Sequence, residues 1–208
     1  MKLCLTSYRI PQPEHLLKLI DKPANETKLA VIPNAKDYYA DRARAVKIKE
    51  SQDYLSALGF NPQTVDLRSY RDTKKLKKEL ERYDAIWVMG GNTFCLRYEM
   101  RESGFDQLLP QLLESGIVYV GESAGACVLS PSLSGLEQED EPLFSEDIIW
   151  EGLGIVDKFI LPHADNPWMQ DSINYARSKH SLSETLELKD SEMHIVNGEK
   201  AETIHAAP

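Results

Sequence analysis

The chain has 208 residues with a formal net charge of −9; 27% of its residues are charged and 42% hydrophobic. That is enough for one α/β domain, residues 1–208, with a full core, and the acidic balance argues against nucleic acid or an anionic membrane surface as partner. Three cysteines, Cys4, Cys95 and Cys127, show no paired spacing, no apolar run approaches the roughly 20 residues that span a bilayer, and the first residues lack a signal peptide's pattern. A reducing, cytoplasmic setting is the expectation.

Along the chain, short apolar runs alternate with longer amphipathic ones, the pattern of a mostly parallel sheet covered by helices. Residues 2–6, 29–33 and 64–67 read as the first three strands. Residues 84–89 (DAIWVM) and 117–120 (IVYV) are nearly unbroken apolar runs bounded by glycine, as suits strands buried on both faces. Helical spacing covers 41–58, ending before Gly59 as a C-cap, and recurs at 73–82, 94–101 and 105–115. Lys74, Lys75, Lys77 and Lys78 read as a solvated helix face. From 137 to 151 the chain turns acidic and irregular, a surface excursion. A strand at 159–161 and a helix at 168–180 follow, then short strands at 185–188, 193–196 and 200–204, the last two joined by an Asn197-Gly198 hairpin signal.

Gly121-Glu122-Ser123-Ala124-Gly125 fits G-x-S-x-G, directly after the IVYV strand and before a helix-forming segment, 124–129. That is the context of a nucleophile elbow. The sharp turn demands small neighbours, and it presents the serine hydroxyl over the carboxyl ends of the strands. A second glycine turn, Gly90-Gly91-Asn92-Thr93, ends the DAIWVM strand. Loops at these ends converge on one crevice, so the N–H groups of Gly91 and Ala124 form a candidate oxyanion-binding pair. Asn92 and Glu122, beside them, are candidate substrate-binding residues.

An activated serine needs a base, and the base needs an orienting acceptor. Of five histidines, His163 ends a core-like strand (FILPH) and so points into the crevice; His15, His180, His194 and His205 lie in polar, helix-end or terminal segments. Spacing leaves the acid open among Asp157, Asp165, Asp190 and Glu192. No phosphate loop, dinucleotide fingerprint or metal-ligand spacing is present, so neither cofactor nor metal is expected.

Through VMGGNTF (88–94), GESAGA (121–126) and LPH (161–163), the chain resembles the dipeptidase E (aspartyl dipeptidase) family of serine peptidases. The resemblance implies a class I glutamine amidotransferase-like α/β sandwich. It assigns Ser123 as nucleophile, His163 as base, and the amides of Gly91 and Ala124 as oxyanion hole. For the acid, which follows the histidine and precedes a terminal hairpin, Asp190 fits best and Glu192 second. In the aspartyl dipeptidases a long insert after the histidine carries an arginine that reads the substrate's N-terminal aspartate. Here that segment is short, and Arg177 is its one arginine. The implied activity is hydrolysis of short peptides with a weaker preference for N-terminal aspartate, the 137–151 excursion forming an acidic wall. The implied partners are the short peptide and, as an open option, a second copy in a homodimer. A degenerate binding or sensor protein that keeps the pocket is the alternative reading.

Overall fold

Nine strands and seven α-helices are present among residues 1–206, which the computed structural model describes. In chain order they are β1 (Lys2–Thr6), α1 (Pro13–Ile20), β2 (Lys28–Ile32), α2 (Asp41–Ala57), β3 (Asn61–Thr64), α3 (Thr73–Leu80), β4 (Ala85–Val88), α4 (Thr93–Ser103), α5 (Phe105–Glu114), β5 (Val118–Glu122), α6 (Ala124–Cys127), β6 (Phe159–Leu161), α7 (Gln170–Lys179), β7 (Thr185–Glu187), β8 (Glu192–Asn197) and β9 (Lys200–His205). Seven strands form one sheet in the order β3-β2-β4-β5-β1-β8-β9. The first five are parallel, and β8 and β9 add an antiparallel edge. The architecture is thus a three-layer α/β sandwich around a mostly parallel sheet, as expected.

Strand alternation sorts the core into two layers. Leu3, Leu5, Ala30, Ile32, Ile86, Val88 and Tyr119 pack against the helices that carry Leu76, Met100 and Leu109. Cys4, Leu29, Val31, Trp87, Val118 and Val120 pack on the other face against Leu16, Leu19 and Leu55. Burial of both faces explains why β4 and β5 read as continuous apolar runs. Since β4, β5 and β1 are neighbours running in parallel, the loops leaving their carboxyl ends meet at one place.

One expectation needs correction, and two further features were unforeseen. The third strand is 61–64, not 64–67: Asn61-Pro62-Gln63-Thr64 is a polar, largely exposed edge strand, where proline is tolerated because one side needs no ladder partner. The buried Val65 and Leu67 follow its end. An unforeseen helix, α1, starts with Pro13 at its first position and buries Leu16, Leu19 and Ile20. Finally, β6 and β7 leave the main sheet and pair in parallel with each other alone.

Candidate active site

Ser123 sits between β5 and α6 with φ 48° and ψ −109°, a conformation L-residues seldom adopt. The turn closes only because its neighbours are small: a Cβ on Gly121 would lie 2.5 Å from the Gly125 carbonyl oxygen. The Ser123 N–H donates to the Thr6 carbonyl at 2.9 Å, tying the elbow to the end of β1. Ser123 Oγ lies 3.1 Å from His163 Nε2.

His163 follows β6 and also has positive φ, 60°. Its Nδ1 is 2.6 Å from Asp190 Oδ1. The register of the small sheet explains this meeting. Leu161 stands opposite Glu187, the Leu188 N–H donates to the Leu161 carbonyl at 2.9 Å, and the Ala164 N–H donates to the Leu188 carbonyl at 3.0 Å. The segment after β7 therefore runs beside the segment after β6 and delivers Asp190 to the imidazole. With Asp190 ionised, the proton belongs on Nδ1, which leaves the Nε2 lone pair facing the serine hydroxyl. Burial pushes the Asp190 carboxyl up, but hydrogen bonds from Ser7 and His163 outweigh it and hold the group below the ordinary aspartate range.

The other acidic candidates stand elsewhere. Glu192 is buried at the start of β8, accepts from the Lys189 N–H and pairs with His205 at 3.0 Å. Asp165 accepts from the Asp190 N–H at 3.2 Å, behind the carboxylate rather than at the ring. Neither Asp157 nor the remaining histidines join this network among the described residues.

Ser7 is a member that sequence reading missed. It is fully buried just beyond β1. Its hydroxyl accepts from the His163 N–H at 2.6 Å and donates to Asp190 Oδ1 at 2.7 Å, 3.2 Å from His163 Nδ1. One serine after a strand carries no pattern; the available signal was only its place at the carboxyl edge of β1.

The glycine turn after β4 lies across the crevice. Gly91 has φ +145°, and a Cβ there would meet the Ala35 carbonyl oxygen at 2.1 Å, the same oxygen that accepts from the Asn92 N–H. The Gly91 and Ala124 N–H groups donate to no protein acceptor among the described residues. Asn92 caps α4 by accepting from the Cys95 N–H at 2.9 Å and donates to the Glu141 carbonyl. Glu122 does not line the crevice. It shares the face of Val118 and Val120, where Trp87 Nε1 donates to it at 3.3 Å, and burial, opposed by Lys36 and Arg9, raises its carboxyl.

A cavity of about 330 Å³ opens over these groups, bounded by Gly91, Ser123, Ala124 and His163. The excursion after α6 walls one side with Leu136, Glu139, Asp140, Glu141 and Phe144, and α7 with its approach supplies Met169, Ile173 and Ala176. Tyr38 reaches in from a loop pinned by Arg44, which pairs with Asp37 at 2.6 Å and Asp66 at 2.9 Å. Arg177 is not in the wall; its guanidinium is held by both oxygens of Glu187 at 2.8 Å. Cys127 also borders the cavity, but burial lifts its thiol well above the ordinary range, which leaves it a poor nucleophile. Among the described residues no histidine, cysteine and carboxylate cluster fit for a metal occurs, and no helix is long and apolar enough to cross a membrane.

An uncharacterized peptidase of Listeria innocua is 39% identical over 88 residues, 42% of this chain and 42% of its own length. A Peptidase E of Salmonella typhi is 30% identical over 176 residues, 80% of this chain and 69% of its own. Alignments to the first three relatives span 42% to 58% of those proteins' lengths. The crystal structure of a Listeria monocytogenes protein has the same fold, with a TM-score of 0.84 over 99% of this chain and 98% of that one at 23% identity. A peptidase from an acI-B1 actinobacterium shares it with a TM-score of 0.73. The family model of peptidase family S51 matches residues 5–204, and with all but four residues at each end so matched, the chain belongs to that family.

Proposed function

We propose that the protein is a serine peptidase that hydrolyses short peptides through an acyl-enzyme on Ser123. The observation that carries this reading is the unbroken hydrogen-bonded series from Ser123 Oγ through His163 to Asp190. In it His163 Nε2 takes the hydroxyl proton as Oγ attacks the scissile carbonyl carbon. The oxyanion that forms is held by the Gly91 and Ala124 amides. Collapse breaks the C–N bond, and the imidazolium returns the proton to the leaving amine; water, activated by the same histidine, then releases the acyl group. Asp190 fixes the tautomer and stabilises the imidazolium.

The cavity is near the small end of ligand pockets, which run from about 300 to 1,000 Å³, and the 137–151 segment narrows it. Both features favour short peptides over folded chains. All three cysteines are free and buried, in keeping with a reducing cytoplasm.

A fluorophosphonate probe should label wild-type protein at Ser123, identified by peptide mass mapping, while dipeptides and tripeptides are hydrolysed. A properly folded protein that takes no label and cleaves no peptide would instead be a binding protein. The oxyanion assignment makes a further prediction. Gly91→Ala places a methyl group against the Ala35 carbonyl, so the turn must shift and carry its N–H out of line. We expect kcat to drop by about 10²- to 10³-fold, the usual loss for one oxyanion donor. A Gly91→Ala enzyme with wild-type kcat would remove this amide from the mechanism.

A further inference from the structure

We propose that Ser7 is a positioning residue of the catalytic apparatus, its buried hydroxyl joining the backbone of His163 to the carboxylate of Asp190 and so setting both for proton transfer at Ser123. The inference rests on the serine-peptidase reading above and gives a role to a side chain that the mechanism does not yet use.

The site is assembled from two sheets. Ser123 leaves β5 of the main sheet, whereas His163 and Asp190 follow β6 and β7, which pair only with each other. Serine hydroxyl and imidazole therefore meet in line only if the small sheet is held at a fixed place beside the large one. Ser7 stands at that junction. It follows β1, the main-sheet strand between β5 and β8. The residue before it, Thr6, accepts the Ser123 N–H through its carbonyl at 2.9 Å. Two consecutive residues thus hold the elbow on one side and the base with its acid on the other.

The bonding of the Ser7 hydroxyl also fixes where the protons lie. A lone pair accepts from the His163 N–H at 2.6 Å and supports that residue's backbone at φ 60°, a conformation that persists only where its surroundings hold it. The single hydroxyl proton goes to Asp190 Oδ1 at 2.7 Å. With that proton spent, Ser7 cannot donate to His163 Nδ1, 3.2 Å away. Nδ1 therefore keeps its own proton for the same carboxylate oxygen, at 2.6 Å, and Nε2 is left as the acceptor facing Ser123. Against the upward push of burial, the Ser7 hydrogen bond is the largest of the contributions that hold the Asp190 carboxyl below its ordinary range. A carboxylate beside an imidazolium must stay charged, and Ser7 favours that form. Ser7 is fully buried and stands outside the cavity lining, so its influence passes through His163 and Asp190.

The test is Ser7→Ala, with Ser7→Cys as a second variant that fills the space of the hydroxyl but donates only weakly. Steady-state kinetics on one dipeptide should show kcat lower by about 10- to 100-fold in Ser7→Ala, the worth of one hydrogen bond to a charged group. KM should stay within about threefold of wild type, because no contact with substrate is lost. Ser7→Cys should also lose about tenfold in kcat, whereas a packing role alone would leave it near wild type. Proton NMR supplies a readout that needs no turnover. The downfield Nδ1 proton of His163, identified by its absence from His163→Asn, should shift and broaden in both Ser7 variants. A folded Ser7→Ala or Ser7→Cys protein with wild-type kcat overturns the proposal. So does a loss confined to KM, or an Nδ1 resonance unchanged in position and width. Fluorophosphonate labelling of the wild type reads Ser123 separately: absence of label counts against the serine mechanism, while the Nδ1 resonance still decides the place of Ser7.

Discussion

Replacing Ser123 with alanine should lower kcat on a short peptide by about 10⁴-fold or more while leaving the fold in place. Deleting a nucleophilic oxygen has this effect because no other hydroxyl or thiol bordering the cavity is hydrogen-bonded to His163; Cys127, the nearest alternative by composition, is a buried thiol whose pKa burial raises well above the ordinary range. The structural cost is small. Ser123 Oγ has one side-chain partner, His163, and its loss removes a hydrogen bond worth about 1 kcal/mol. The backbone at 123 already has positive φ with serine in place, so alanine adds no new strain. A melting temperature within about 4 °C of wild type is expected for a chain of this size. Pre-steady-state kinetics with an activated ester would add a second readout, since the burst of leaving group seen with the wild type should disappear. Substantial peptide turnover by a purified, folded Ser123→Ala protein would end the acyl-enzyme reading.

The parts of this molecule legible in the sequence are those whose physics is local. β4 and β5 announce themselves because both faces are buried, and the elbow does so because its steric demand for Gly121 and Gly125 leaves a mark in composition. β3 leaves no such mark: it is a short, polar edge held by pairing to β2, and pairing is not written in any one strand. The same limit applies inside the site. His163 could be singled out by its place at the end of FILPH, whereas choosing among Asp157, Asp165, Asp190 and Glu192 depends on the β6–β7 register, a long-range fact. Asp190 and Glu192 are only two positions apart, yet one meets the imidazole and the other caps the approach to β8. Ser7, separated from His163 by 156 positions, could be found only once the crevice was assembled.

Removing the imidazole should be about as damaging as removing the hydroxyl. Nucleophile and base act as a unit, so His163→Ala is expected to cost about 10⁴-fold or more in kcat, and the Ser123→Ala/His163→Ala pair little beyond either single change. Position 163 has φ 60°, where alanine is strained, so His163→Asn provides a second variant: asparagine tolerates this region and keeps the N–H that donates to Ser7, but it cannot relay the proton. Asp190→Asn should fall somewhat short of these, at about 10⁴-fold, since it leaves the base present but in the wrong tautomer. His194 serves as the control. It lies on β8, where its Nδ1 is 3.0 Å from Thr203 Oγ1, and His194→Ala should change kcat less than about tenfold. Steady-state kinetics on one dipeptide substrate, with circular dichroism to verify folding, compares all five variants. An active His163→Asn protein alongside an inactive His194→Ala protein would show that the base had been misassigned, because the 3.1 Å contact at Ser123 would then be a structural hydrogen bond with no part in proton transfer.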